Sequence, residues 1–482
     1  MPQARTVDVV VLGAGAVGEN AADRASRTGL SVAIVESERV GGECSYWACM
    51  PSKALLRPGA ALEAARAVPG VAISGGLDVA AVLARRDEIV HHWDDASQVS
   101  WVEGAGLVLV RGHGRLTGPR TVAVDEADVV LTARHAVVVA TGSEPVLPSL
   151  PGLETVTPWT SREVTSLHEV PASAIVVGGG VVACEMATAL ADLGSRVTVL
   201  VRGDRLLASM EPFAGEAVAA SLEAHGVTVR FGTQATAVAA DGSGVRVTLD
   251  GGDEVRAERL LLATGRRPRT LGLGLETVGL TPGRSVVVDE TGRATGIDGD
   301  WLYATGDVTG RTNTTHQGKY DARVTGDAIA HRFGGSGEAH AATAAGAAAV
   351  DEAAPWTAFR ASADRAAVPQ VVFTRPEVAT VGLTEAAARA HGLDVRVVSV
   401  GFDSTAGAVF SSAAPGTASI VVDEARGVIV GATFVGPEVA EMLHAATIAV
   451  VGEVPLTRLW HAVPAYPTRS EVWLRLLEAY GL

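Results

Sequence analysis

The chain has 482 residues, 48% of them hydrophobic and 4% aromatic, with a formal net charge of -15. Its length allows about three domains of roughly 100–200 residues, and the acidic balance argues against nucleic acid or an anionic membrane as partner. No apolar run reaches the about 18 residues of a spanning helix, and Val7–Leu12 runs straight into a glycine loop and not into a signal-peptide cleavage site, so a cytoplasmic protein without a membrane span is expected.

The first segment reads as a nucleotide-binding unit. Val7–Leu12 suits a buried parallel strand. Gly13, Gly15 and Gly18 then spell G-x-G-x-x-G, a helical stretch runs to Arg27, and a second strand, Ser31–Val35, ends at Glu36. In this order the tight turn and the helix N-terminus take a pyrophosphate, and the acid takes a ribose hydroxyl.

Next comes GGECSYWACMPSKALL, residues 41–56. Cys44 and Cys49 lie close together in a chain whose only other cysteine is Cys184, which points to metal or redox chemistry. No second Cys/His pair has zinc-finger spacing, and His91 and His92 are adjacent and so do not share a helix face; no metal is expected. Pro51 in a first helical turn puts Cys49 near a helix N-terminus, where the dipole favours a thiolate. Lys53 adds charge one turn on. The chain has only one other lysine, Lys319, so a lysine beside the cysteines carries weight. Cys184 is expected in a core.

A second nucleotide-binding unit begins at Ala174. Gly178, Gly180 and Ala183 take the places of Gly13, Gly15 and Gly18. The spacing that reaches Glu36 in the first copy reaches Val201 here, followed by Arg202. An acid suits a free 2′-hydroxyl and an arginine a 2′-phosphate. The first copy is therefore expected to hold FAD, and the second NADPH in preference to NADH. The A-T-G runs at 140–142 and 263–265 are expected to close the two folds, and Asp307 follows a further strand. Residues 334–367, rich in Ala and Gly, read as a linker or insertion. From Val368 two β-runs around Asp-Glu-Ala-Arg-Gly form a hairpin, and helical runs end the chain.

Taken together these motifs resemble the pyridine nucleotide-disulfide oxidoreductases, the family of dihydrolipoamide dehydrogenase, glutathione reductase and mercuric reductase. Gly41–Lys53 is similar to the family signature G-G-x-C-x-N-x-G-C-x-P-[ST]-K. The resemblance implies an α/β fold: two Rossmann-like dinucleotide-binding domains, for FAD and NAD(P), plus a C-terminal α+β dimerisation domain. The expected boundaries are 1–150 and 276–333 for the FAD-binding parts, 151–275 for NAD(P), and 368–482 for the interface. It further implies an NAD(P)H-dependent flavoenzyme that passes electrons to a small disulfide or other electrophile. Cys49 matches the flavin-proximal thiol and Cys44 the thiol that meets substrate. Lys53 matches a lysine near the flavin, with Glu185 as its ion-pair partner, and Asp307 the acid on the ribityl chain. Gly42, Gly114, Thr141 and Gly142 complete the FAD set, and Gly265 the NAD(P) set. Members are homodimers whose active sites borrow C-terminal residues.

Two stretches depart from the pattern. In HAVPAYPTRSE, residues 461–471, Pro467, Thr468 and Glu471 match, but Tyr466 stands where the acid–base histidine belongs. An unperturbed tyrosine titrates near about 10 and is a poor proton shuttle at neutral pH; His461, five residues earlier, is off the family position. Tyr46 and Trp47 replace the usual asparagine and small residue of the cysteine loop, where they could stack on a planar substrate, cover the flavin edge or face the dimer seam. Mercuric reductase shares the tyrosine and the Val201–Arg202 pattern, but its C-terminal cysteine pair has no match in the final Gly-Leu. Three readings follow: a thiol-disulfide enzyme, a quinone-type or mercuric-reductase-like reductase with the cysteines secondary, and a non-catalytic nucleotide sensor.

Overall fold

The computed structural model describes residues 2–334, 344–410 and 416–482. The chain divides into two compact units, each assembled from three stretches of sequence.

The first unit comprises residues 1–50, 90–144 and 266–364. Its sheet centres on Gln3–Leu12, which pairs in parallel with Val32–Glu36 on one side and Val129–Val139 on the other; Val10 lies beside Ala33 and Val137. Val108–Arg111 extends the parallel set beyond Val32–Glu36. Past Val129–Val139 the order is antiparallel, through Thr121–Val124 to Gly114–Gly118, while Leu302–Ala304 also joins Val129–Val139 in parallel. Val9, Val10 and Val11 are fully buried, as an apolar run covered on both faces requires. Helices Ala16–Ser26 and Thr315–Phe333 pack together over this sheet. Of the stretch 334–367, residues 335–343 lie outside the described residues. The rest is structured: Ala344–Asp351 is helical, and Asp351 pairs with the buried Arg332.

The second unit comprises residues 51–89, 145–265 and 365–482. Ser173–Val177 lies between Arg196–Leu200 and Arg259–Leu262 in a four-stranded parallel sheet completed by Thr228–Arg230. A three-stranded antiparallel sheet, Ala235–Asp241, Gly244–Leu249 and Glu254–Ala257, follows in the chain. The C-terminal part is a five-stranded antiparallel sheet whose central hairpin, Thr417–Asp423 with Val428–Gly436, packs against helices Leu443–Val451 and Val472–Tyr480. The stretch 51–89, expected within 1–150, packs in this unit. Leu55, Leu56 and Val82 join the core of Val176, Met186 and Val199. Arg86, fully buried, is held by the carbonyls of Thr165 and Leu167 at 2.5 and 2.7 Å.

No helix among the described residues is long and apolar enough to cross a membrane.

Candidate active site

The cysteine loop is seated on the first glycine turn. The Gly41 N–H donates to the Ala14 carbonyl at 2.7 Å, and Gly41 bridges to Gly15. Gly42 has φ +58°, and a Cβ there would lie 2.8 Å from the Gly15 Cα, so only glycine allows this approach. Cys44 sits in the short helix Gly42–Tyr46, and Cys49 opens the helix Cys49–Arg66. Both are free thiols. The hydrogen bond to Cys49, reinforced by burial, pushes the Cys44 thiol far above its ordinary range, while Thr315 and Lys319 pull the other way. The Cys49 sulfur also has the Thr315 hydroxyl at 3.2 Å.

Tyr46 is no stacking platform for a substrate. Its ring is 1% exposed, its hydroxyl bonds to Gln98, and the Arg39 guanidinium lies 5.9 Å from its centroid. Its Cβ falls on the buried side of a one-turn helix. Trp47, tilted against it at 5.7 Å, stays half-buried.

The remaining FAD candidates of the first unit surround the same turn. Gly13, at φ +100°, would push a Cβ to 2.6 Å from the Ala140 carbonyl oxygen, and Gly18 is packed against Gly13. Glu36 ends its strand and accepts the N–H groups of Ala14 at 2.7 Å and Glu38 at 2.8 Å, and burial holds its carboxyl above the ordinary range. Each oxygen keeps a second lone pair for another donor. Thr141 donates to the Arg269 carbonyl, and Gly142 is left-handed with open space around it. Asp307 accepts from Ser143 at 2.6 Å, and Arg266 donates to the same hydroxyl at 2.7 Å. For Gly114 the structure supplies a packing reason: a Cβ would meet Leu12 at 2.6 Å.

In the second unit Gly178, at φ +138°, abuts the Ala263 carbonyl, Gly180 caps the helix Val181–Asp192, and Ala183 is buried. Val201 is buried and Arg202 exposed. Gly265 has φ +126° and open space where a Cβ would stand. Lys53 donates to both Glu185 oxygens, at 2.8 and 3.1 Å, and Glu185 also accepts the Phe373 N–H at 3.0 Å. Cys184 is buried, which raises its thiol to about 12. Glu471 is buried and accepts the Gly407 N–H at 3.0 Å. Tyr466 is 78% exposed, and its hydroxyl makes no hydrogen bond among the described residues. His461 is exposed as well.

Two residues of the first unit were given no role by the sequence reading: Thr315, on Cys49, and Lys319, whose charge acts on Cys44. Lysine scarcity, which drew attention to Lys53, applies equally to Lys319.

Residues 7–346 match the family described as pyridine nucleotide-disulphide oxidoreductase, and residues 368–476 match its dimerisation domain. The chain is 32% identical over 478 residues to dihydrolipoyl dehydrogenase 3 of Pseudomonas aeruginosa, covering 96% of both chains. It is 33% identical over 476 residues to a mercuric reductase of Streptomyces lividans, covering 96% of this chain and 94% of that one. Among solved structures, the Cu(II) complex of the HOCl-induced flavoprotein disulfide reductase RclA from Escherichia coli has a similar fold, with a TM-score of 0.81 at 23% identity over 98% of this chain and 99% of that one.

Proposed function

This chain belongs to the pyridine nucleotide-disulphide oxidoreductase family, and from that premise we propose that it reduces a small disulfide with electrons from NADPH, through FAD and the Cys44–Cys49 pair. The observation that carries the reading is the meeting of two free thiols, Cys44 hydrogen-bonded to Cys49 and the Cys49 sulfur on the Thr315 hydroxyl. Two thiols in contact, one to attack and one to resolve, are what disulfide exchange needs.

Oxidoreductases of this family use FAD and a pyridine nucleotide. The residues fit both. Gly15 and Gly180 cap helices Ala16–Ser26 and Val181–Asp192 with no side-chain bond to the first-turn N–H groups. A Cβ on Gly180 would meet nothing within 4 Å, and one on Gly15 only the Gly42 Cα at 3.8 Å. Internal packing does not demand glycine there, whereas close approach of a pyrophosphate does. In the first unit Gly13, Gly15, Glu36, Gly42, Thr141, Gly142 and Asp307 would hold FAD, which when bound supplies two-electron exchange between nicotinamide and disulfide. In the second, Gly178, Gly180, Ala183 and Gly265 would hold the nicotinamide dinucleotide. NADPH is favoured over NADH because Val201 is buried and offers no acceptor, while the exposed Arg202 offers a cation. Lys53 and Glu185 keep the ion-pair role the resemblance implies.

The family's dimerisation domain supports a homodimer, with Tyr466 and Glu471 serving the partner's site. Phe410, Ile448, Val463 and Tyr466 expose much of their surface in this domain. We place the enzyme in the cytoplasm, where an accessible dithiol stays reduced.

A second reading, reduction of a quinone with the cysteines secondary, is favoured by the exposed, unbonded Tyr466 in the histidine's place. Cys44→Ser in the FAD-loaded protein separates the two. Disulfide turnover with NADPH is expected to fall at least about 100-fold, and any quinone turnover to survive. Disulfide turnover that persists in this variant refutes the exchange reading.

A further inference from the structure

We propose that residues 93–98 clamp the cysteine helix Gly42–Tyr46, with Trp93 and Gln98 as positioning residues that hold Cys44 where the Cys44–Cys49 disulfide can close and open; the proposal rests on the thiol-disulfide reading above.

Clamp and helix both belong to the first unit. The Trp93 indole N–H donates to the Tyr46 carbonyl at 3.1 Å. The Gln98 amide spans two side chains: its Oε1 accepts from the Tyr46 hydroxyl, and its Nε2 donates to the Ser45 hydroxyl at 3.1 Å. The Tyr46 hydroxyl also lies 3.4 Å from the Asp94 carbonyl oxygen, and the Val40 N–H donates to Asp95 at 2.8 Å. The approach is close, since a Cβ on Gly41 would lie 2.2 Å from the Gln98 Nε2. Burial, with the Asp95 charge adding to it, pushes the Tyr46 phenol up to about 12, so it stays protonated and donates. That orients the Gln98 amide, leaving Nε2 for Ser45.

The backbone leading into the clamp is strained. His91, His92 and Trp93 have φ of +51°, +53° and +57°. Residues other than glycine enter this left-handed region singly and not in runs. His91 and His92 are exposed, so burial of their side chains does not hold the turn. Such backbone persists where the surroundings over-determine it, and it gathers at functional sites. Here the surroundings are the contacts of Trp93 through Gln98 on residues 40–46.

The two sulfurs are thus held from different places. Cys49 has the Thr315 hydroxyl at 3.2 Å. Cys44 lies in the one-turn helix beside Ser45 and two residues before Tyr46, so the clamp fixes its backbone. Closing the disulfide takes two electrons and two protons from the Cys44 and Cys49 thiols and passes them to an oxidised partner, which becomes a dithiol. The equilibrium depends on how well Cys44 is kept within reach of Cys49. A loosened clamp lets Cys44 wander, and the disulfide becomes easier to reduce.

The test equilibrates FAD-loaded protein anaerobically in buffers of oxidised and reduced dithiothreitol. Acid quenching, alkylation and mass spectrometry then give the disulfide fraction of the pair. Trp93→Phe removes the indole donor and keeps a ring; Gln98→Met keeps most of the volume and removes both amide bonds. Each is expected to shift the equilibrium constant at least about tenfold toward the dithiol, or about 30 mV for this two-electron couple. Gln98→Glu, whose carboxyl still accepts from the Tyr46 hydroxyl, should stay within about threefold of the unmodified protein. A purely structural role would lower the urea midpoint and leave this constant in place. Constants within about threefold for both Trp93→Phe and Gln98→Met overturn the proposal, as does a Gln98→Glu shift equal to that of Gln98→Met. If the shifts appear but the unmodified protein reduces no disulfide with NADPH, the clamp stands and the thiol-disulfide reading falls. If the constants stay put while Cys44-dependent disulfide turnover is intact, the clamp falls and the reading stands. A pair that forms no disulfide in any of the buffers overturns both.

Discussion

Replacing Lys53 with methionine probes how the second unit holds a buried charge. The Glu185 side chain is 4% exposed and takes three hydrogen bonds, two from Lys53 and one from the Phe373 N–H. Methionine keeps most of the volume and removes the ammonium, which leaves the carboxylate with one neutral donor. Breaking a buried pair costs about 3–5 kcal/mol. The Lys53 side chain is 36% exposed, so water reaches its end and replaces part of the lost interaction. The ammonium also lies 4.8 Å from the Phe373 ring centroid, worth about 0.5–1 kcal/mol at such a site. The expected cost is about 2–3 kcal/mol. Adding Glu185→Leu removes the stranded charge, and the double variant should recover to within about 1 kcal/mol of the unmodified protein. The assay is urea unfolding followed by tryptophan fluorescence, at one fixed saturating FAD concentration because a bound cofactor adds to apparent stability. A cost below about 0.5 kcal/mol for Lys53→Met, or a double variant equal to the sum of the singles, would refute the reasoning.

Arg202→Glu is expected to raise the KM for NADPH at least about tenfold while changing that for NADH by less than about threefold; equal changes in steady-state kinetics would remove Arg202 from nucleotide choice. Asp321 lies buried beside Asp364 with both its oxygens unpartnered, and burial followed by the Asp364 charge pushes it up to about 8. Because the folded value lies above the unfolded one, its contribution is fully present below about 4 and is lost as pH rises through about 8. Asp321→Asn should therefore gain stability relative to the unmodified protein between pH 6 and pH 9, and a flat difference in urea midpoints across that range would contradict it.

The two glycine turns, the cysteine loop and the order of strands were legible because each depends on residues near in sequence. Gly13, Gly15 and Gly18 serve one turn, and Cys44 through Lys53 form two successive helical segments. The strand and turn that carry Asp307, and the hairpin around residues 423–428, are local in the same way. Packing decided the rest. Tyr46 looked available for stacking, but the turn of its short helix buries it under Arg39. Gly114 has packing neighbours that no local pattern records, since a Cβ there would meet the Leu12, Val35 and Val122 side chains. The stretch 51–89 left the first unit because Leu55, Leu56 and Val82 bury themselves in the core of the second. Thr315 shows the division most sharply. The sequence by itself determined a helix start, a redox pair and two lysines in a chain otherwise without them. Only the tertiary structure decided that the Thr315 hydroxyl, 266 residues further on, lies against Cys49, because the helix that carries it packs closely on Ala16–Ser26 at Gly318 and Gly326, and no local pattern records which helix packs on which.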